Sequence, residues 1–181
     1  TAGRGIMHEE MPLAAGNGME GFQLWVNLPA DLKMTEPRYQ EISSDTIPVV
    51  EQEGGTSIRV IAGEVDGVSG PVTDIFADPS YLDITMPAGT GFSTPVKRGQ
   101  NVFAYLFDGE ASFGDEGDGR VVVSPGLVLF GEGDHITALT GEDSARFLLV
   151  SGGPLDEPIA RYGPFVMNTR EEIEETIREI R

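Results

Sequence analysis

The chain has 181 residues, long enough for one large or two small domains, and its 30 acidic against 12 basic residues give a net charge of −18. A surface this acidic repels phosphates, so direct nucleic-acid binding is not expected, and the lack of cysteine excludes disulfides, zinc–thiolate sites and thiol nucleophiles. No apolar run reaches the roughly 18 to 20 residues of a membrane span and no secretion leader is visible, so we expect a cytoplasmic protein that does not bind membranes.

The first third of the chain contains two segments with the pattern of a β-strand. Residues 22–28 alternate between apolar and polar side chains, which is the period of a strand. Trp25 lies in this segment, and we expect it to pack in a core, although a pocket role stays open. Residues 29–42 are interrupted by prolines and predict a connector with one helical turn. Residues 56–65 predict a second strand that ends in glycine-rich turns.

The middle of the chain predicts a series of short strands. Residues 81–86 form one strand, which Pro87 ends. Residues 101–114 read as a strand, a turn around Gly109 and a second strand, with Gly109 supplying a positive φ in a hairpin. Residues 119–152 predict at least three more strands. Short strands at this spacing, separated by glycine and proline, are typical of a β-sandwich or β-barrel.

The end of the chain predicts an amphipathic helix. Asn168 or Thr169 can act as the N-cap, and Glu171 or Glu172, three residues further on, can complete a capping box. Acidic residues early in the helix and arginines near its end suit the helix dipole. Three isoleucines fall on one helical face: Ile173, Ile177 and Ile180. The composition and patterns together predict a mostly β protein with a C-terminal helix.

Several longer motifs resemble one known family. They are GRGIMHEEMP, GFQLWVNLP, KMTEPRYQEI, YLDITMPAGT, LFGEGDHI and RFLLVSGGPLDEPIARYGPFVMNT, followed by the acidic closing helix. The same segments occur in the same order in the pirins, and the resemblance covers nearly the whole chain. It implies a bicupin: two small β-barrels of related fold joined by a linker, with a C-terminal helix. It also implies one mononuclear iron site, in the N-terminal barrel.

The resemblance places two metal ligands near the start of the chain. The family's site combines a His-x-His pair with a later histidine and glutamate, and the later pair corresponds here to His8 and Glu10. In a strand, residues i and i+2 point to the same face, so both side chains can reach one ion while Glu9 points away. An imidazole and a carboxylate with open positions suit non-haem iron or another divalent metal. Without the surrounding motif, such a pair is more often a surface feature.

The His-x-His pair of the family does not occur in this sequence. We therefore expect the chain to begin partway through the first barrel, and the rest of the site to lie on sequence not present here, including the case of a separate polypeptide. On this interpretation the parts are the remainder of the first barrel at residues 1–40, a linker at 41–57, the second barrel at 58–166 and the helix at 167–181. Two ligands hold a metal poorly, so we expect weak iron binding.

The second barrel lacks strong iron ligands at the positions that cupins use. Phe92, Thr94, Val96 and Gln100 fall near the ligand positions of the first cupin motif, and His135 falls where the second motif places its histidine. One histidine does not make a metal centre. We expect His135 to line a pocket or lie at the surface, and the barrel to be a structural or ligand-recognition module.

The resemblance favours an iron-dependent dioxygenase of the quercetinase type, which acts on a flavonol or a related aromatic compound with dioxygen. In this hypothesis His8 holds the metal, and Glu10 also accepts the hydroxyl proton of the substrate. An alternative is a non-catalytic protein whose iron state controls binding to a transcription regulator, for which an acidic surface favours a basic partner. A third hypothesis is a bicupin whose substrate is unrelated to flavonols.

Overall fold

The computed structural model describes residues 1–9, 21–115 and 117–180. These residues form two compact units. The larger unit is Gln40–Pro154, and the smaller unit combines Thr1–Tyr39 with Leu155–Arg181. The four-part division of the chain based on the resemblance stays a prediction.

The larger unit consists mainly of strands. Two short 3-10 helices lie at Ser44–Thr46 and Glu53–Gly55. The strands are β1 (Val49–Glu51), β2 (Ser57–Ala62), β3 (Glu64–Val65), β4 (Val68–Ser69), β5 (Ser80–Met86), β6 (Gly91–Pro95), β7 (Asn101–Phe113), β8 (Arg120–Val123), β9 (Gly126–Leu129), β10 (His135–Leu139) and β11 (Ala145–Gly152). The predicted strands in residues 56–65 and 81–86 are confirmed by β2 and β5, and residues 119–152 contain four strands.

The strands of the larger unit pair around β7. The sheet has the order β1-β2-β5-β11-β7-β10-β6, all its pairings are antiparallel, and β8 and β9 also pair with β7. The first half of β7 pairs with β9 and β11, and its second half pairs with β8 and β10. One long strand thus belongs to both sides of a curled sheet, with the apolar core inside. In that core the Phe147 ring makes edge-to-face contacts with Phe92 at 6.0 Å and Phe113 at 5.2 Å.

The turn predicted around Gly109 is wrong. Asp108, Gly109 and Glu110 lie inside β7, and the register of the pairing with β11 shifts just before them, between Leu106 and Asp108. Gly109 does have the positive φ that was expected, at 76°. Glycine can supply a positive φ inside a strand as well as in a turn, so the DGE sequence alone does not distinguish a bend within a strand from its end. The bend lets β7 pass from one side of the sheet to the other.

The smaller unit contains a single described α-helix, α1 (Arg170–Ile180), which packs against β12 (Ala160–Tyr162) and β13 (Phe165–Met167). The predicted capping box is confirmed at Thr169 and Glu172: the Thr169 hydroxyl accepts from the Glu172 nitrogen at 3.2 Å, and the Glu172 carboxylate accepts from the Thr169 nitrogen at 2.9 Å. In the described part of the chain, no helix combines the length and apolar character needed to cross a membrane. The cytoplasmic location stays a prediction.

Two expectations for the smaller unit are wrong. Residues 22–28 do not form a strand, because alternation alone cannot make one without a neighbouring strand to complete a hydrogen-bonded ladder. Trp25 is not a core residue, since 55% of it is exposed and its ring lies 5.3 Å from the Arg161 guanidinium. The connector that follows does contain one helical turn, a 3-10 helix at Ala30–Leu32.

Candidate functional site

The start of the chain, which carries His8, runs beside a later segment of the smaller unit. The amino group of Thr1 donates to the Arg38 carbonyl at 2.7 Å, and the Arg4 nitrogen donates to the Thr35 carbonyl at 3.0 Å. The Arg4 guanidinium also pairs with the Glu36 carboxylate at 2.7 Å. These contacts hold residues 1–4 in place ahead of His8.

His8 is exposed, and it lies on a segment that is neither helix nor strand. Glu10, its predicted companion, lies outside the described residues. Within the ranges that the structure covers, no group of three or more histidine, aspartate or glutamate side chains could hold a metal ion. The described donors therefore do not build a metal centre on their own. The assignment of His8 and Glu10 as ligands stays a prediction.

The larger unit contains a cavity of about 640 Å³ near the positions that correspond to the first cupin motif. Thr94 and Gln100 both line it, together with Val96. Phe92 does not, because its ring is buried against Phe147 in the core. At these positions the cavity is offered the hydroxyl of Thr94 and the amide of Gln100.

Gln100 is fixed in the cavity by two hydrogen bonds. Its side-chain oxygen accepts from the Ser151 hydroxyl at 2.9 Å, and its side-chain nitrogen donates to the Asp78 carbonyl at 3.2 Å. Sequence reasoning did not identify Ser151 or Asp78. Ser151 follows the apolar run of β11, and its position in that strand is the signal that could have placed it inside the barrel.

His135 lines a second, smaller cavity of about 240 Å³, and Val96 and Gln100 line both cavities. The His135 Nδ1 atom lies 2.9 Å from the Asp134 carboxylate, and its Nε2 atom lies 3.7 Å from that of Asp115. The hydrogen bond with Asp134 is the main reason why the pKa of His135 is raised above its ordinary value. The expectation of a pocket-lining or surface histidine is confirmed.

A buried lysine in the smaller unit was not identified from the sequence. Lys33 is only 4% exposed, and its ammonium group donates to the side-chain oxygen of Asn27. Burial lowers its pKa, while the negative charges of Glu157 and Glu172 act in the opposite direction. A lysine in a connector without a periodic pattern gives no sequence signal of burial, so the burial of Lys33 is seen only in the folded structure.

The larger unit has the fold of a cupin, a curled antiparallel barrel with an apolar interior and an open cavity. A family model described as the pirin C-terminal cupin domain matches residues 81–181. A pirin-like protein of Arabidopsis thaliana is 43% identical over 98% of this chain, and pirin of Rattus norvegicus is 40% identical over 100% of it. The chain belongs to the pirin family. It spans 59% and 62% of the lengths of these two relatives.

A solved structure supports the same relationship. The crystal structure of quercetin 2,3-dioxygenase from Acinetobacter baumannii matches with a TM-score of 0.78 and 34% identity. The match covers 86% of this chain and 53% of that one. The fold expected from the resemblance, mostly β and cupin-like with a C-terminal helix, is therefore confirmed.

Proposed function

We propose that the protein is a metal-dependent dioxygenase of the quercetin 2,3-dioxygenase type. The observation that carries the proposal is its similarity, at 34% identity over 86% of the chain, to the Acinetobacter baumannii protein of that name. The expected substrate class is a flavonol or a related aromatic compound, with dioxygen as the second substrate.

In this proposal, His8 and Glu10 are the two metal ligands that the chain contributes. Iron(II), or another divalent ion, suits an imidazole and a carboxylate and supplies the dioxygen chemistry. The further ligands would come from the part of the relatives that this chain does not span. Glu10 has a second proposed role, which is to accept the hydroxyl proton of the flavonol, because a positioned carboxylate is a suitable general base.

The test uses the protein as its gene encodes it, with metal content measured after purification. Quercetin is added with dioxygen, and loss of the flavonol absorbance is followed with time. We expect turnover that His8→Ala abolishes, together with a loss of bound iron. His135→Ala is the matched control, because it removes the other histidine of the chain and is expected to leave both turnover and iron content unchanged.

Two results would contradict the proposal. One is turnover that survives in His8→Ala at the wild-type rate. The other is no turnover in wild-type protein that holds stoichiometric iron. If that iron-loaded protein binds a transcription regulator differently as Fe(II) and as Fe(III), the regulatory alternative is favoured instead.

The 181-residue chain alone allows a separate test of the ligand assignment. Because two ligands hold a divalent ion poorly, we expect it to bind Fe(II) weakly in an anaerobic titration. Tight, stoichiometric binding would mean that the chain contains a complete site, which the assignment of His8 and Glu10 alone does not provide.

A further inference from the structure

We propose that the larger cavity of the Gln40–Pro154 unit binds a neutral ring compound that carries hydroxyl groups. This site does not include His8 or Glu10. Its volume of about 640 Å³ falls within the range of roughly 300 to 1,000 Å³ that is usual for small-molecule sites. The ligand class follows from three features of the lining: its polar groups, its apolar walls and the charges at its mouth.

The deeply placed polar groups of the cavity are uncharged. Thr94 and Ser151 are each 6% exposed, and both line the cavity. The Ser151 hydroxyl uses its hydrogen toward Gln100, which leaves its oxygen able to accept another hydrogen bond. The Thr94 hydroxyl can both donate and accept, and Gln100 retains a second N–H. A ligand hydroxyl, which also donates and accepts, matches this set.

The remaining deep surface of the cavity is aliphatic. Leu82 and Leu149 are each 3% exposed and line it beside Val72 and Val96. Apolar surface of this kind favours a ligand with a hydrocarbon ring, because burial of the ring removes apolar area from water. None of the described lining residues is aromatic, so a ring bound here, whether aromatic or saturated, would contact aliphatic side chains.

The mouth of the cavity carries an excess of negative charge. Glu64 lines it and is exposed, and Asp78 forms an ion pair with Lys97. Two carboxylates against one ammonium group disfavour an anionic ligand, since the charges of the mouth and ligand would repel each other. A neutral ligand avoids this cost, which excludes phosphorylated and carboxylated compounds from the proposed class.

The loop at the mouth is held in an unusual backbone conformation. Asp74, Ala77 and Asp78 have φ angles of 55°, 69° and 45°, in the left-handed region that non-glycine residues seldom adopt. The Gly153 nitrogen donates to the Ala77 carbonyl at 3.0 Å, and Gln100 donates to the Asp78 carbonyl at 3.2 Å. Backbone strain of this kind persists where surrounding contacts enforce it, and it clusters at ligand sites.

The test compares three ring compounds by ligand-observed NMR and titration calorimetry with the whole protein, after metal has been removed with EDTA. Resorcinol is neutral and has two hydroxyl groups, 1,3-dimethoxybenzene lacks them, and 3,5-dihydroxybenzoate adds a negative charge. We expect resorcinol to bind. 1,3-Dimethoxybenzene should bind at least about threefold more weakly, the loss expected for one hydrogen bond. 3,5-Dihydroxybenzoate should also bind more weakly than resorcinol, because the negative charge at the mouth repels it.

Variants locate the site. Thr94→Val, which keeps the side-chain shape, is expected to weaken resorcinol binding about threefold to tenfold, and Ser151→Ala to weaken it in the same direction. Thr85→Val is the matched control, because Thr85 is an exposed residue of β5 that does not line the cavity. His8→Ala is expected to leave resorcinol binding unchanged, so this test and that of the proposed dioxygenase activity can fail independently.

The proposal is overturned if resorcinol does not bind, or if Thr94→Val and Ser151→Ala both bind it as well as wild type. It is equally overturned if 3,5-dihydroxybenzoate or 1,3-dimethoxybenzene binds as tightly as resorcinol. Thermal unfolding of each variant identifies a folding defect. If Thr94→Val fails to fold, Ser151→Ala alone decides the outcome.

Discussion

Glu157 accepts a hydrogen bond from the backbone nitrogen of Ala30 at 2.8 Å, although 127 positions of sequence separate the two residues. The same carboxylate oxygen accepts from the Asn168 side-chain nitrogen at 3.1 Å. One side chain therefore links the connector near the start of the chain to the residues just before α1, and holds the smaller unit together.

Loss of this link should destabilise the smaller unit. We expect Glu157→Ala to lower the free energy of unfolding by about 1 to 2 kcal/mol, because two hydrogen bonds to a charged acceptor are lost. Urea unfolding followed by circular dichroism measures the change. Glu175→Ala removes an exposed acidic residue of α1 and is the control, with an expected change within about 0.5 kcal/mol. Equal effects of the two substitutions would mean that the Glu157 contacts contribute nothing.

Glu172 should give the start of α1 a dependence on pH. Hydrogen bonds from the Thr169 and Asn168 backbone nitrogens hold the pKa of Glu172 below its ordinary value. Because the folded pKa is lowered, the stabilisation is present above the ordinary glutamate value of about 4.3 and is lost as pH falls through the lowered pKa.

In Glu172→Gln the amide can still cap the helix but cannot titrate. We therefore expect unfolding curves between about pH 6 and pH 3 to show a larger loss of stability in wild type than in this variant. Glu175→Gln is the control for removing one acidic residue from the same helix. An unchanged pH dependence in Glu172→Gln would exclude a contribution from this carboxylate.

His135 should titrate above the ordinary histidine value of about 6.5. The Asp134 hydrogen bond favours the charged imidazole, so Asp134→Asn is expected to lower the pKa of His135. Since the folded pKa is raised, the stabilisation from the pair is fully present below pH of about 6.5 and is lost as pH rises through the raised value.

An NMR titration of the imidazole C–H resonances measures this midpoint, and the spectrum of His135→Gln assigns them. The control, Asp143→Asn, removes an exposed carboxylate from the loop before β11 and should leave the midpoint in place. The same midpoint in Asp134→Asn and wild type would mean that the hydrogen bond with Asp134 does not raise the pKa of His135.

The bend in β7 should depend on glycine. A Cβ atom at Gly109 would lie 1.8 Å from the Ser144 carbonyl oxygen, and the φ of 76° disfavours any side chain. We expect Gly109→Ala to cost more than about 2 kcal/mol in urea unfolding. Gly89→Ala is the matched control, because its φ is 69° but no atom beyond its chain neighbours lies within 4 Å of the added carbon, so its cost should be about 1 kcal/mol. Equal costs would contradict the close approach.

The sequence predicts the elements that depend on nearby residues. It does not predict those that depend on which distant segment of the chain lies alongside. The Thr169–Glu172 cap depends on two residues only three positions apart. β5 is an apolar run that Pro87 ends. Both elements could therefore be predicted from the sequence. Residues 22–28 have the alternation of a strand but form no ladder, and Gly109 has the chemistry of a turn but lies within β7. In each case the missing information is which segment lies alongside.

The candidate sites follow the same rule. Thr94 and Gln100 could be predicted from the sequence, because they fall near the ligand positions of the first cupin motif. Ser151 and Asp78 lie far away in the sequence and join them only when the barrel folds. His8 and Glu10 stay predictions, since the metal assignment rests on resemblance and Glu10 lies outside the described residues.

Gln100 and Val96 line both cavities, so a change in one cavity can be detected from the other. A molecule that enters the larger space and displaces the Gln100 amide must also change the shape of the smaller one. The His135 ring borders only the smaller space, so a shift of its resonances would signal an occupant that it never touches.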